Sequence, residues 1–158
     1  MGFTVEGSTD VMVADLESGF AGTAAVAEQP SATWWRTMAD LWGIGPDRAH
    51  GWRGIVNRIA LPGGFGTATT GTNATGAGLA VVDGKWVGLF EIIVRADNRR
   101  RGVGSDLAQS LMAWGRDTGA SAAFLQVVAD NGPAIGMYEE LGFVKAYTYW
   151  YRRAPRTA

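Results

Sequence analysis

The sequence predicts an α/β (α+β) fold: a central mixed, mostly antiparallel sheet with helices on its faces. Three observations carry this. First, 158 residues with 47% hydrophobic and 18% charged content suffice for one domain with a substantial core. Second, segments with apolar residues at helical spacing alternate with β-branched and apolar runs of strand length. Third, the order is two helices, three strands joined by turns, then helix, strand, helix, strand; such an order combines an antiparallel meander with one right-handed parallel crossover.

The elements follow in order. Residues 1–30 are poorly defined: a short strand is predicted at 11–14, a weak alanine-rich one within 21–29, and a tail at 2–9. A helix starts with Ser31 as N-cap and puts Trp34, Met38, Leu41 and Trp42 on one face before Gly43 and Gly45 stop it. A second helix opens at Pro46, carries Trp52, Ile55, Val56 and Ile59, and is ended by Pro62, Gly63 and Gly64. Strands are predicted at 65–70, 77–82 and 85–94, with a polar turn at 70–75 and a hairpin at Asp83-Gly84. The end of the third strand is a nearly continuous apolar run, which suggests cover on both faces, yet it contains Glu91. Residues 102–118 form the best helix, with Val103, Leu107, Leu111 and Trp114 on one side. A strand follows at 121–128. Asn131 caps a short helix with Pro133 in its first turn, Gly142 closes it, and an aromatic strand spans 143–151.

Composition excludes several functions. Fourteen basic against fifteen acidic residues give a net charge of -1, so neither a nucleic acid nor an anionic membrane is an expected partner. With no cysteine and a single histidine, His50, there is no thiol nucleophile, no zinc-thiolate site and no metal site built on a histidine or cysteine cluster. His50 reads as a surface or packing residue. No apolar run approaches a membrane span, and no secretory or myristoylation signal is present, so a cytoplasmic location is expected.

The chemistry concentrates at 92–105. An apolar strand (Ile92, Ile93, Val94) crosses a polar turn to Arg99, Arg100 and Arg101, and then Gly102, Val103, Gly104 and Ser105 open the long helix. Unpaired N–H groups and the helix dipole favour an anion there, glycines allow close approach, and arginines add charged donors. The position three residues after Gly104 is Leu107, so the dinucleotide fingerprint fails, and no Gly-Lys-Ser/Thr ends a P-loop. No Gly-x-Ser-x-Gly elbow is present.

Two segments together resemble the GCN5-related N-acetyltransferase (GNAT) superfamily. Residues 94–104, with Arg99, Gly102 and Gly104, resemble its pyrophosphate loop. Residues 125–143, with Asn131, Ala134, Tyr138, Gly142 and Phe143, resemble its N-x-x-A-x-x-x-Y-x-x-x-G-F segment. The likeness is firm from about residue 86, fair over 31–85 and absent before. It implies a single GNAT domain over 1–158, a cofactor-binding core at 86–152, and a V-shaped splay between two central parallel strands. It implies acetyl-CoA as co-substrate, with no metal, and an amine acceptor. By the same resemblance Ile92, Ile93 and Val94 pair with the pantetheine arm, residues 99–105 hold the pyrophosphate, Asn131 contacts the arm, and Tyr138 protonates the departing thiolate. A tyrosine suits that task because its O–H is a good donor and stays protonated at neutral pH.

The base is less defined. Some relatives that acetylate protein N-termini carry glutamate in L-E-V, where this chain has Leu125, Gln126 and Val127, and an amide is no base. Glu91 is the candidate, beside the expected thioester, where burial would raise its pKa; a solvent-facing or arginine-paired Glu91 and a water relay are the alternatives. Trp34, Trp35, Trp42 and Trp52 crowd the early helices as core residues, with one or two free to line an acceptor pocket. Tyr147, Tyr149 and Tyr151 share one face of the last strand, which meets either the cleft or a partner chain, as in a homodimer. The expected function is an acetyl-CoA-dependent N-acetyltransferase acting on a primary amine of a small molecule or peptide. The alternatives are a non-catalytic acyl-CoA-binding domain of the same fold and an unrelated nucleotide-binding module. The chain could also be half of a longer tandem protein.

Overall fold

A computed structural model describes residues 4–16 and 19–154. Seven strands form one sheet: β1 (Thr4–Asp15), β2 (Ala25–Ala27), β3 (Gly63–Thr70), β4 (Asn73–Asp83), β5 (Trp86–Val94), β6 (Ala122–Val128) and β7 (Val144–Arg153), in the order β2-β3-β4-β5-β6-β1-β7. Four helices flank it: α1 (Ala32–Leu41), α2 (Pro46–Val56), α3 (Val103–Asp117) and α4 (Gly132–Glu140). All strand pairs are antiparallel except β5 with β6, the pair joined through α3.

The predicted tail at 2–9 is corrected. From Thr4 onward it belongs to β1, which lies between β6 and β7 and pairs with both. Polar residues such as Thr4, Glu6 and Ser8 obscure the strand in the sequence, because this half of β1 is exposed and its stability comes from ladder hydrogen bonds to distant strands. Residues 2 and 3 lie outside the described part.

Two cores sit on opposite sheet faces. Met12, Val87, Leu89, Leu125 and Phe143 pack with Leu111 and Met112 on the α3 side. Trp34, Met38, Phe65 and Leu79 form the core under α1 and α2. Trp34 is 1% exposed and meets Trp35, Trp52 and Phe65 at ring separations of 5.0 to 5.7 Å.

The second helix ends at Val56, earlier than expected, and Gly63 and Gly64 are strand residues rather than breakers. Their task is close packing. A Cβ on Gly64 would lie 2.6 Å from the Trp114 ring, and one on Gly115 would lie 2.7 Å from Val87 Cβ. Glycine lets α3 settle directly on the sheet. Gly115→Val is therefore expected to overpack this contact and lower stability by about 1–3 kcal/mol. Urea unfolding would check it; an unchanged midpoint would refute the packing role.

Candidate functional site

The site begins where β5 and β6 part. Their parallel pairing runs from Trp86 with Ala122 to Leu89 with Leu125 and stops there. Beyond it β6 stays paired with β1, Gln126 opposite Val11, while β5 continues to Val94. Residues 90–94 thus have no partner on the β6 side, an open edge of roughly 16 Å at strand rise. Its peptide groups are available to an extended ligand.

A bulge accompanies the splay. Leu79 pairs with Phe90 but Ala77 with Ile93, so Gly78 alone faces Glu91 and Ile92. Glu91 has φ 55°. Among the described residues only Glu91 and Arg100, at φ 57°, adopt this left-handed backbone without being glycine. Such conformations persist only where surrounding structure imposes them. The Trp34 indole N–H donates to the Gly78 carbonyl at 2.9 Å, bracing β4 opposite the bulge.

The bulge re-aims a carboxylate. Val87 and Leu89 face the α3 core, so simple alternation would put Glu91 there too. The extra residue instead places Glu91 with Phe90 on the opposite face, in an apolar cavity of about 800 Å³ that also takes Trp52, Trp86 and Phe124. Glu91 is open to this cavity, and partial desolvation by its walls holds the carboxyl above its ordinary range.

The other side of the splay is a groove of about 740 Å³. It brings together Ile92, Ile93, Val94, Arg99, Arg100, Gly102, Gly104, Ser105, Asn131 and Tyr138. Of the predicted cofactor residues only Arg101 and Val103 do not line it. Trp42, Met137 and Glu140 line it as well, and the motifs did not single them out. For Trp42 the signal was its place at the end of a helix otherwise facing the core; it is 49% exposed.

At the groove's end, Gly102 caps α3 with φ 79° and no side-chain cap. The first helical bond is from Asp106 N–H to the Gly102 carbonyl at 2.9 Å. The N–H groups of Gly102, Val103, Gly104 and Ser105 precede it and lack intrahelical acceptors, leaving a donor cluster at the positive helix end. A Cβ on Gly102 would meet open space, which is room for a ligand beside the backbone. Arg99 Nε donates to the Val94 carbonyl at 3.2 Å, tying the loop to β5. Arg95 likewise pairs with Asp40 of α1 at 2.9 Å.

The second motif has a local explanation. Asn131 Oδ1 accepts from Ala134 N–H at 3.3 Å, capping α4. At the other end Phe143 N–H bonds the Tyr138 carbonyl, Gly142 N–H bonds that of Glu139, and Gly142 has φ 88°. This is a Schellman stop, with Tyr138 and Phe143 at the positions that make its apolar contact; their rings meet edge-on at 5.7 Å. The Tyr-x-x-x-Gly-Phe spacing is thus a helix terminus that also orients the tyrosine. Tyr138 is 8% exposed and lines the groove, and burial alone pushes its hydroxyl up to about 12.

Elsewhere, Gln126 accepts from the Tyr149 hydroxyl at 2.8 Å, and His50 is exposed and lines neither cavity. Trp52 lines the apolar cavity, whereas Trp34 is core. Tyr147 also lines that cavity, so part of the β7 tyrosine face meets the cleft. Among the described residues there is no group of three or more His, Cys, Asp or Glu able to hold a metal, and no helix long and apolar enough to cross a membrane.

This geometry has relatives. Residues 1–152 match the family model described as "Probable histone acetyltransferase Rv0428c C-terminal". The chain belongs to that family, and with it to the GNAT superfamily. The N-acetyltransferase YobR of Bacillus subtilis (strain 168) is 30% identical over 126 residues, covering 79% of this chain and 51% of YobR. A GCN5-related N-acetyltransferase structure from Sphaerobacter thermophilus superposes with a TM-score of 0.74 at 17% identity, over 96% of this chain and 53% of that one. The structure of AAC(6')-Iy in complex with the bisubstrate analog CoA-S-monomethyl-acetylneamine gives a TM-score of 0.67 at 18% identity, over 85% of this chain and 99% of that one. The chain thus spans about half the length of YobR and of the Sphaerobacter structure. At these identities the two structures speak for the GNAT fold alone.

Proposed function

We propose that this GNAT chain transfers an acetyl group from acetyl-CoA to a primary amine of a small molecule or peptide. One observation carries the reading: the groove unites an open strand edge, an uncapped helix start with arginines, and a buried tyrosine from three separate segments. Each suits one part of acetyl-CoA. The free peptide groups of residues 90–94 match the amides of pantetheine. The N–H cluster at 102–105, with Arg99 and Arg100, matches the pyrophosphate. Asn131 borders the arm between them.

The reaction then divides between the two sides of the splay. The amine enters from the apolar cavity as an ammonium ion and gives a proton to the Glu91 carboxylate. Its nitrogen attacks the thioester carbonyl carbon, forming the C–N bond as the C–S bond breaks. Tyr138 passes its hydroxyl proton to the departing thiolate. It recovers a proton from the nitrogen, which sheds its surplus proton to become the amide. A hydroxyl with a pKa near 12 remains protonated throughout the neutral range and is available as that acid. Glu91 must be ionised to act, and its apolar walls raise its pKa toward the useful range.

Calorimetric titration with acetyl-CoA, followed by mass-spectrometric screening of amines and peptides, tests the reading. Absence of acetyl-CoA binding sinks it; binding without transfer to any acceptor leaves the non-catalytic alternative. Because Glu91 works deprotonated, activity should fall as pH drops through its raised pKa. Glu91→Gln should remove that limb and lower kcat/KM by about 10²-fold at neutral pH. The deficit should shrink as pH approaches the pKa of the amine itself. A variant with the wild-type pH profile would exclude Glu91 as base.

A further inference from the structure

We infer that the acceptor is a singly charged primary amine with an apolar body, such as an alkyl- or arylalkylamine, rather than a polyamine, a free amino acid or a basic peptide. The inference rests on the acceptor reading of the apolar cavity given above and narrows its substrate class.

The cavity wall is aromatic and aliphatic: Trp52, Trp86, Phe90, Phe124, Leu79 and Val81 are representative. Among the described residues, no lysine, arginine or histidine lines it. Lys85, whose ammonium lies 5.5 Å from the Trp86 ring centre, is not a lining residue. Among the described residues, two carboxylates reach the wall, Asp83 and Glu91. Asp83 lies opposite Trp86 in the ladder, and Glu91 is five residues further along β5. That separates them by roughly 16 Å of strand, with the apolar wall between.

Charge complementarity therefore selects the ligand. One ammonium group is matched at Glu91, beside the splay. A second or third ammonium a few bonds away would lie against apolar walls without a partner, which is costly. A free amino acid would bring its carboxylate next to Glu91 with no cation to receive it. A peptide would bury amide groups where few polar partners exist. An alkyl or aryl body meets none of these penalties and gains from burial.

Direct titration of amines into the protein without acetyl-CoA, followed by calorimetry and tryptophan fluorescence, tests this. Affinity should rise about fourfold per added methylene from butylamine to octylamine. Octylamine should bind more tightly than octanol, and Glu91→Gln should erase that difference while leaving octanol unchanged. Phenylethylamine should exceed phenylalanine and spermidine at least tenfold. Equal or tighter binding of spermidine, phenylalanine or a lysine peptide overturns the inference. So does a flat chain-length series, or a gain that follows lengthening the acyl group of acyl-CoA instead of the amine. Failure to bind acetyl-CoA would remove the proposed function but would leave these amine titrations intact, so the two failures are distinguishable.

Discussion

Tyr138→Phe is expected to lower kcat by about 10²-fold or more while leaving acetyl-CoA affinity within about twofold. The phenyl ring keeps the edge-on contact with Phe143 and the helix stop that holds it, because neither uses the hydroxyl. What is lost is the one proton donor this residue offers to the groove. Without it the thiolate leaves with its charge unneutralised in a partly apolar surround. Stopped-flow acetyl transfer paired with calorimetry separates the two effects. A parallel fall in binding and turnover would point to a structural role. Unchanged kcat would show that water or another group supplies the proton. The acid limb of the wild-type profile should come from Glu91 and not from Tyr138, since a group near 12 does not titrate in the working range.

Gly102→Val should weaken acetyl-CoA binding by at least about 30-fold. The backbone at this position has φ 79°, a conformation that β-branched residues resist at a cost on the order of 1–3 kcal/mol. Relief of that strain would rotate the peptide units at 102–104, turning the N–H cluster away from the groove. The loss falls on pyrophosphate recognition, so amine titrations into the apolar cavity should be unaffected, because Gly102 lines only the other groove. A variant that binds acetyl-CoA normally would place the pyrophosphate elsewhere. One that also loses amine affinity would instead indicate global unfolding, which circular dichroism would reveal.

Much of the site was legible because its geometry is local. Asn131 accepts from the N–H three residues on, and Gly142 with Phe143 closes a helix back onto Tyr138 within five residues. Gly102 and Gly104 shape a helix start whose free donors follow from backbone geometry alone. The antiparallel meander and the β5–α3–β6 crossover likewise follow from alternation, turn residues and helical period. Other features were not legible, for a physical reason they share. The strand at Thr4–Asp15 has weak local signals and is held by β6 and β7, whose residues lie more than a hundred positions away. Gly64 resembles a breaker locally and Gly115 is one more position of a helix, and only the packing of α3 on the sheet shows both to be contact points.

The sequence by itself determined the presence of the helices, the glycine-led start of α3 with its free donors and the helix stop that holds Tyr138, since each depends on hydrogen bonds among near neighbours. Only the tertiary structure decided where β5 leaves β6 and which way Glu91 turns. Both depend on register between strands distant in the chain: pairing ends after Leu89 with Leu125, and one unmatched residue opposite Gly78 reverses the side to which Glu91 points. That single shift moves a carboxylate from the α3 core to the apolar cavity, where an amine could meet it.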